Sequence, residues 1–91
     1  MSKRKGTRNE HRSIALLEAS GYRCTRSAGS LGEWDIVAIG TLDTVLVQCK
    51  TNRWPAPAEM ETMKLFPVPV NCRKLVHRWD DQKRLPLMRE L

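Results

Sequence analysis

The sequence predicts one α/β (α+β) domain: a central mixed β-sheet flanked by helices, in the order α-β-β-β-α-β-β. Three observations carry that expectation. Near the start, apolar residues recur at helical spacing, with a cap before them and a glycine after. In the middle, two β-rich runs place apolar residues on both faces, as strands covered on both sides do. A proline-opened helical segment then separates these runs from two further strand-like ones. With 91 residues the chain has room for one modest core, which excludes a full βα barrel or a two-domain enzyme.

Residues 1–7 read as a basic N-terminal arm and residues 8–91 as a single domain. Thr7-Arg8-Asn9-Glu10 matches a capping box, with Thr7 as N-cap and Glu10 at N3. Ile14, Leu17 and the Ala15/Ala19 pair follow at helical spacing and Gly21 is a stop, so a helix is predicted over 8–20. Tyr22 to Ala28 alternates between two glycines and reads as a strand. After the small-residue loop Ala28-Gly29-Ser30-Leu31-Gly32, the runs Trp34–Ile39 and Thr44–Lys50 form a hairpin about Gly40-Thr41-Leu42-Asp43. Pro57 opens a short helix over 57–66 that carries Met60, Met63 and Leu65 and ends before Pro67 and Pro69. Cys72–Trp79 reads as a strand, Asp80-Asp81-Gln82 as a turn and Leu85–Leu91 as a last strand. His77 and Trp79 share a strand face with Leu75 and read as core or interface; Met60 and Met63 read as fillers.

Charge narrows the function. The net charge is +6 and the pI about 9.7. Residues 1–26 hold seven basic and two acidic residues, whereas the other 65 hold nine and eight. A basic arm on a near-neutral body suits a polyanion, either nucleic acid or an acidic membrane surface, or else a solubilising tail. Cys24, Cys49 and Cys72 cannot all pair internally and lack zinc-site spacing, so they read as reduced thiols. No apolar stretch follows the charged start, and no run is long enough to span a bilayer. The expectation is a cytoplasmic or nucleoid-associated protein.

The chemistry-bearing residues lie on the hairpin. If Asp35 stands opposite an even-numbered residue, then Asp35, Gln48 and Lys50 project on one side, and both registers with that parity leave ordinary loops. The other parity sets Asp35 against Cys49 and scatters the group. Polar groups on an apolar hairpin cost a few kcal/mol each to bury without partners, so a reason for them is needed. The bland one is an Asp35–Lys50 salt bridge with Gln48 as a satisfied neighbour. Glu10 lies on the helix stripe of Ile14 and Leu17, although the capping box alone accounts for it.

Arg26-Ser27-Ala28-Gly29-Ser30, Trp34-Asp35-Ile36-Val37-Ala38 and Val47-Gln48-Cys49-Lys50 together resemble the PD-(D/E)XK nuclease superfamily, and within it the archaeal-type Holliday junction resolvases and their phage-borne relatives. The likeness covers residues 5–52 clearly and the remaining element order loosely. It implies a restriction-endonuclease-like fold and a Mg²⁺-dependent endodeoxyribonuclease, with Mn²⁺ as a possible substitute. It also implies roles. Glu10 matches the helix acid, Asp35 the central metal-binding acid and Lys50 the motif lysine. Gln48 stands where most relatives have glutamate, and Ser27 and Ser30 match the loop near the scissile strand. Trp34 replaces the usual proline, a change that touches backbone geometry alone. Gln48 removes a negative charge from the metal site but still offers a carbonyl oxygen.

On that resemblance the expected ligands are Asp35, Gln48 and the Cys49 carbonyl, with Glu10 assisting. Lys50 would stabilise developing charge and orient the nucleophile. Lys3, Arg4, Lys5, Arg8, Arg12, Arg26, Ser27 and Arg53 would contact DNA, and Ser30 would approach the reacting phosphate. Trp54 is a candidate to stack on an unpaired base or to be partly buried. Paired nicks in a four-way junction require a two-fold homodimer. Two alternatives remain: a restriction- or repair-type nuclease acting on duplex or flapped DNA, and a catalytically inactive DNA-binding module.

Overall fold

The computed structural model describes residues 2–91, with side chains from Gly6 onward. The elements are α1 (Ser2–Ala19), β1 (Arg23–Arg26), β2 (Ile36–Ile39), β3 (Thr44–Thr51), α2 (Pro57–Leu65), β4 (Cys72–Trp79) and β5 (Leu87–Glu90). The strands form one sheet in the order β1-β2-β3-β4-β5. Neighbours are antiparallel except β3 and β4, which are parallel. A parallel pair needs a crossover, and α2 is that crossover.

Because side chains alternate along each strand, the sheet has two cores. Ile36, Ala38, Val45 and Val47 pack with Leu17 of α1 on one face. Leu46 and Val76 pack with Met63 of α2 and with Trp34 on the other. This double cover explains the apolar runs without clean alternation. Gly40 is required where β2 turns: a Cβ there would lie 2.7 Å from the Tyr22 ring, whose hydroxyl donates to Asp43 Oδ1 at 2.7 Å. Among the described residues no helix is long and apolar enough to cross a membrane.

The element order is as the sequence predicts, and Cys72–Trp79 matches to the residue. The start of α1 does not. The helix begins at Ser2 rather than after Thr7, so the basic segment forms its opening turns. Residues 3–5 are good helix formers, and once they are helical Thr7 lies inside the ladder and has no end to cap. Glu10 is thereby released from capping. The stripe that α1 buries is Asn9, Ser13 and Leu17, four residues apart, with Ile14 half-buried beside it. The terminal strands are shorter than expected, β1 ending at Arg26 and β5 starting at Leu87.

Candidate active site

The β2–β3 ladder pairs odd-numbered residues of β2 with even-numbered residues of β3, the parity that would gather the hairpin's polar residues, and it ends at Ile36↔Val47, one residue short of Asp35. Asp35 is held there by its backbone, its N–H donating to the Val47 carbonyl at 2.9 Å and its carbonyl accepting from Ser27 N–H at 2.9 Å. Ser27 is buried and its hydroxyl donates to the Trp34 carbonyl, while Ser30 Oγ donates to the Ser27 carbonyl at 2.6 Å. The serine loop therefore closes on itself and braces the segment that carries Asp35. The Ser27 hydroxyl, expected to contact DNA, is committed to that brace.

The Asp35 carboxylate accepts the Cys49 N–H on Oδ2 at 2.8 Å. Burial raises its pKa above the ordinary value and the Glu10 charge raises it further. The Cys49 N–H, Lys50 and Arg26 pull the other way. Four of the proposed residues thus act on one carboxyl group. Gln48 is 6% exposed, and its Oε1 is buried with no hydrogen-bond partner among the described residues. An orphaned acceptor of that kind costs about 1–3 kcal/mol unless something meets it.

Glu10, one-fifth exposed, accepts from Arg26 Nε at 2.8 Å, a bond that ties α1 to the end of β1. Lys50 is turned away from Asp35: its Nζ donates to Glu59 Oε2 at 3.2 Å. The expected Asp35–Lys50 bridge is replaced by this pair because the crossover sets the N-terminus of α2 over the end of β3. Glu59 also accepts the Ala56 N–H at 2.9 Å, a capping box that fixes it, and both bonds hold its pKa below the usual value. The Cys49 thiol faces α1, with Sγ 3.3 Å from Ser13 Oγ, and burial pushes its pKa to about 12. It is no thiolate ligand; only its carbonyl remains for the role assigned to it.

Of the expected DNA contacts, Arg8 and Arg53 are exposed and Arg26 is paired with Glu10. Arg12 is committed elsewhere, donating to the Lys83 carbonyl at 2.7 Å and lying 4.0 Å over the Trp79 ring. The side chains of Lys3, Arg4 and Lys5 lie outside the described residues. The sequence reading misses a buried polar knot below the site. Ser13 Oγ, fully buried, meets Trp79 Nε1 and His77 Nδ1, each at 2.8 Å. Asn9 Nδ2 donates to Thr51 Oγ1 at 3.1 Å. The spacing of Asn9 and Ser13 ahead of Leu17 was the available signal.

The donors present fit a hard divalent cation. No group of three His, Cys, Asp or Glu residues among the described residues could hold a metal. Mg²⁺, however, takes one or two carboxylates and otherwise amides, carbonyls and retained waters. Asp35, whose Oδ1 has no hydrogen bond among the described residues, and the orphaned Gln48 oxygen, one residue before the Cys49 N–H that holds Oδ2, would make such a donor set.

Among solved structures the chain is similar to Archaeoglobus fulgidus Hjc, a Holliday junction resolvase from an archaeal hyperthermophile, with a TM-score of 0.71 and 22% identity over 96% of this chain and 71% of that one. No family model matches the sequence, and no curated protein does. The mixed five-stranded sheet with its two helices is thus the Hjc-like resolvase fold that the hairpin motifs and the element order predict.

Proposed function

We propose that the protein is a structure-selective, metal-dependent endodeoxyribonuclease that resolves four-way DNA junctions inside the cell. One observation carries this reading: an orphaned Gln48 Oε1 belongs to the residue before Cys49, whose N–H holds the partly buried Asp35 carboxylate, in a fold similar to that of a junction resolvase. Asp35 and Gln48 would hold the cation, with the Cys49 carbonyl beside them and Glu10 adding negative charge. A bound Mg²⁺ or Mn²⁺ supplies charge relief at the phosphate and lowers the pKa of water.

The chain's own residues do the rest. The serine loop and the Cys49 N–H fix the Asp35 carboxylate in one orientation, and such placement is worth orders of magnitude in rate. Lys50 is the cation available to the charge that builds on the phosphate, once DNA competes it away from Glu59. Paired nicks need two sites, so the protein would act as a two-fold homodimer.

The test is cleavage of a labelled immobile four-way junction and its linear duplex, with Mg²⁺ or EDTA, by wild type and Asp35→Asn. Symmetric nicks in the junction alone, lost in EDTA and in the variant, are expected. Cutting of both DNAs leaves a nuclease without junction preference. Tight binding with no cutting in Mg²⁺ or Mn²⁺ makes the protein a DNA-binding module, with Gln48 the mark of a dead site.

A further inference from the structure

Trp54 is a candidate base-stacking residue in the sequence, yet its ring is occupied. The Arg89 guanidinium lies 4.4 Å from the ring centroid and that of Arg78 5.6 Å. Trp54 itself is half-buried against the Leu46, Met63 and Val76 core, so it is a fixed shelf. The register ties this shelf to the candidate site. Gln48 pairs with Val76 and Val76 with Arg89, while Lys50 pairs with Arg78 and Arg78 with Leu87. Partners across a ladder share a face, so Gln48, Lys50, Arg78 and Arg89 project from the same side of the sheet. Arg89 is two strands from Gln48 in one row, about 10 Å between backbones.

The two arginines differ in commitment. Arg78 Nε donates to Asp80 Oδ1 at 2.8 Å. Arg89 sits on the exposed edge strand and has no carboxylate or hydrogen-bond acceptor among the described residues; its one contact is the indole. The other guanidinium on this strand's partner, that of Arg73, is clamped by Glu90 at 2.9 and 3.0 Å. A guanidinium held over an aromatic ring has lost side-chain freedom already, while its N–H fork stays open to the paired oxygens of an oxyanion.

We infer that Arg89, seated on Trp54 beside Arg78, is a binding site for a phosphodiester of the DNA backbone next to the one presented to Asp35. It rests on the nuclease reading and adds to it a position-setting contact on the far side of β4. Such a contact carries no base information, so it acts on junction and duplex alike and fixes where the strand lies.

The experiment measures the affinity of uncut DNA, both junction and duplex in EDTA, as a function of NaCl for wild type, Arg89→Ala, Arg89→Lys and Lys64→Ala. Lys64→Ala, on the exposed far end of α2, removes the same charge away from the shelf. Arg89→Ala is expected to weaken binding about tenfold at moderate salt, the worth of a lost charge-assisted hydrogen bond, and to flatten the log K against log salt slope by about one. Arg89→Lys, with the charge kept and the fork gone, is expected to keep the slope and lose several-fold in affinity. Lys64→Ala should change each by much less. Equal effects of Arg89→Ala and Lys64→Ala, with circular dichroism showing both folded, overturn the site and leave the nuclease reading intact. If wild type binds neither DNA, that reading itself fails.

Discussion

Gln48→Glu tests whether Asp35 and Gln48 share one pocket. The substitution adds a carboxylate at a position 6% exposed, next in sequence to Cys49, whose N–H holds a carboxyl group whose pKa burial and Glu10 already raise. Side chains that share one pocket as directly paired residues do lie about 5 Å apart, and at an effective dielectric near 20 two charges at that distance would repel by about 3 kcal/mol. A second route gives a ceiling. The pair can always escape by protonating one member, which at pH 7 costs a carboxyl of pKa about 4.3 roughly 3.7 kcal/mol. The cation-free variant should therefore be about 3 kcal/mol less stable than wild type at pH 7.

Urea unfolding in EDTA and then in Mg²⁺ measures this directly. With a slope of about 1–2 kcal/mol/M for so small a domain, the EDTA midpoint should fall by about 1.5–3 M. Mg²⁺ removes the like-charge cost and should return most of the loss, whereas wild type should shift less on Mg²⁺ addition because its site has one negative charge fewer. Cleavage by the variant should then saturate at lower Mg²⁺ than that of wild type. A variant within about 0.5 kcal/mol of wild type in EDTA, with no larger Mg²⁺ response, would show that the two side chains do not form one site.

Two further predictions concern the knot beneath the site. Ser13→Ala leaves Trp79 Nε1 and His77 Nδ1 without their partner in a fully buried place, a loss of about 2–4 kcal/mol by chemical denaturation at two such groups. A cost below about 1 kcal/mol would mean that water reaches these atoms. Burial lowers the His77 pKa from 6.5 to about 4, so folding keeps the ring neutral. That contribution is complete above about pH 6.5 and is lost as pH falls towards 4, about 3 kcal/mol in all, and His77→Gln should flatten unfolding free energy across that window.

What the sequence revealed and what it hid divide along local and non-local physics. Strand runs with apolar residues on both faces, the turn at Gly40 and the proline at the start of α2 are local, and each element follows from them. Hairpin parity was open because a one-residue slip, which flips it, is not penalised by a local pattern that is apolar on both faces. It closed through burial of Ile36 and Ala38 against Leu17. The capping box at Thr7 misled because a cap is needed only where a helix ends, and a run of good formers before it moved that end. The Lys50 partner was hidden for a different reason. Glu59 is only nine residues away in sequence, but it meets Lys50 because the parallel pairing of β3 and β4 makes α2 fold back over the strand it has just left.

That same pairing separates stability from chemistry. On the α1 face Ser13 is spent on His77 and Trp79, Asn9 on Thr51, and Arg12 on Trp79 and the Lys83 carbonyl, although the buried His77 Nε2 has no partner among the described residues. On the α2 face the commitments are incomplete. Among the described residues Gln48 Oε1 has no partner and Arg89 has only an aromatic ring, and Lys50 is held by a glutamate that water also reaches. Folding alone gives no reason to leave an acceptor orphaned and a guanidinium unpaired within one row of one sheet. A cation for the first and a phosphate for the second would satisfy both, and a DNA backbone crossing β3 towards β5 would bring the phosphate to Arg89 with the cation held at Asp35.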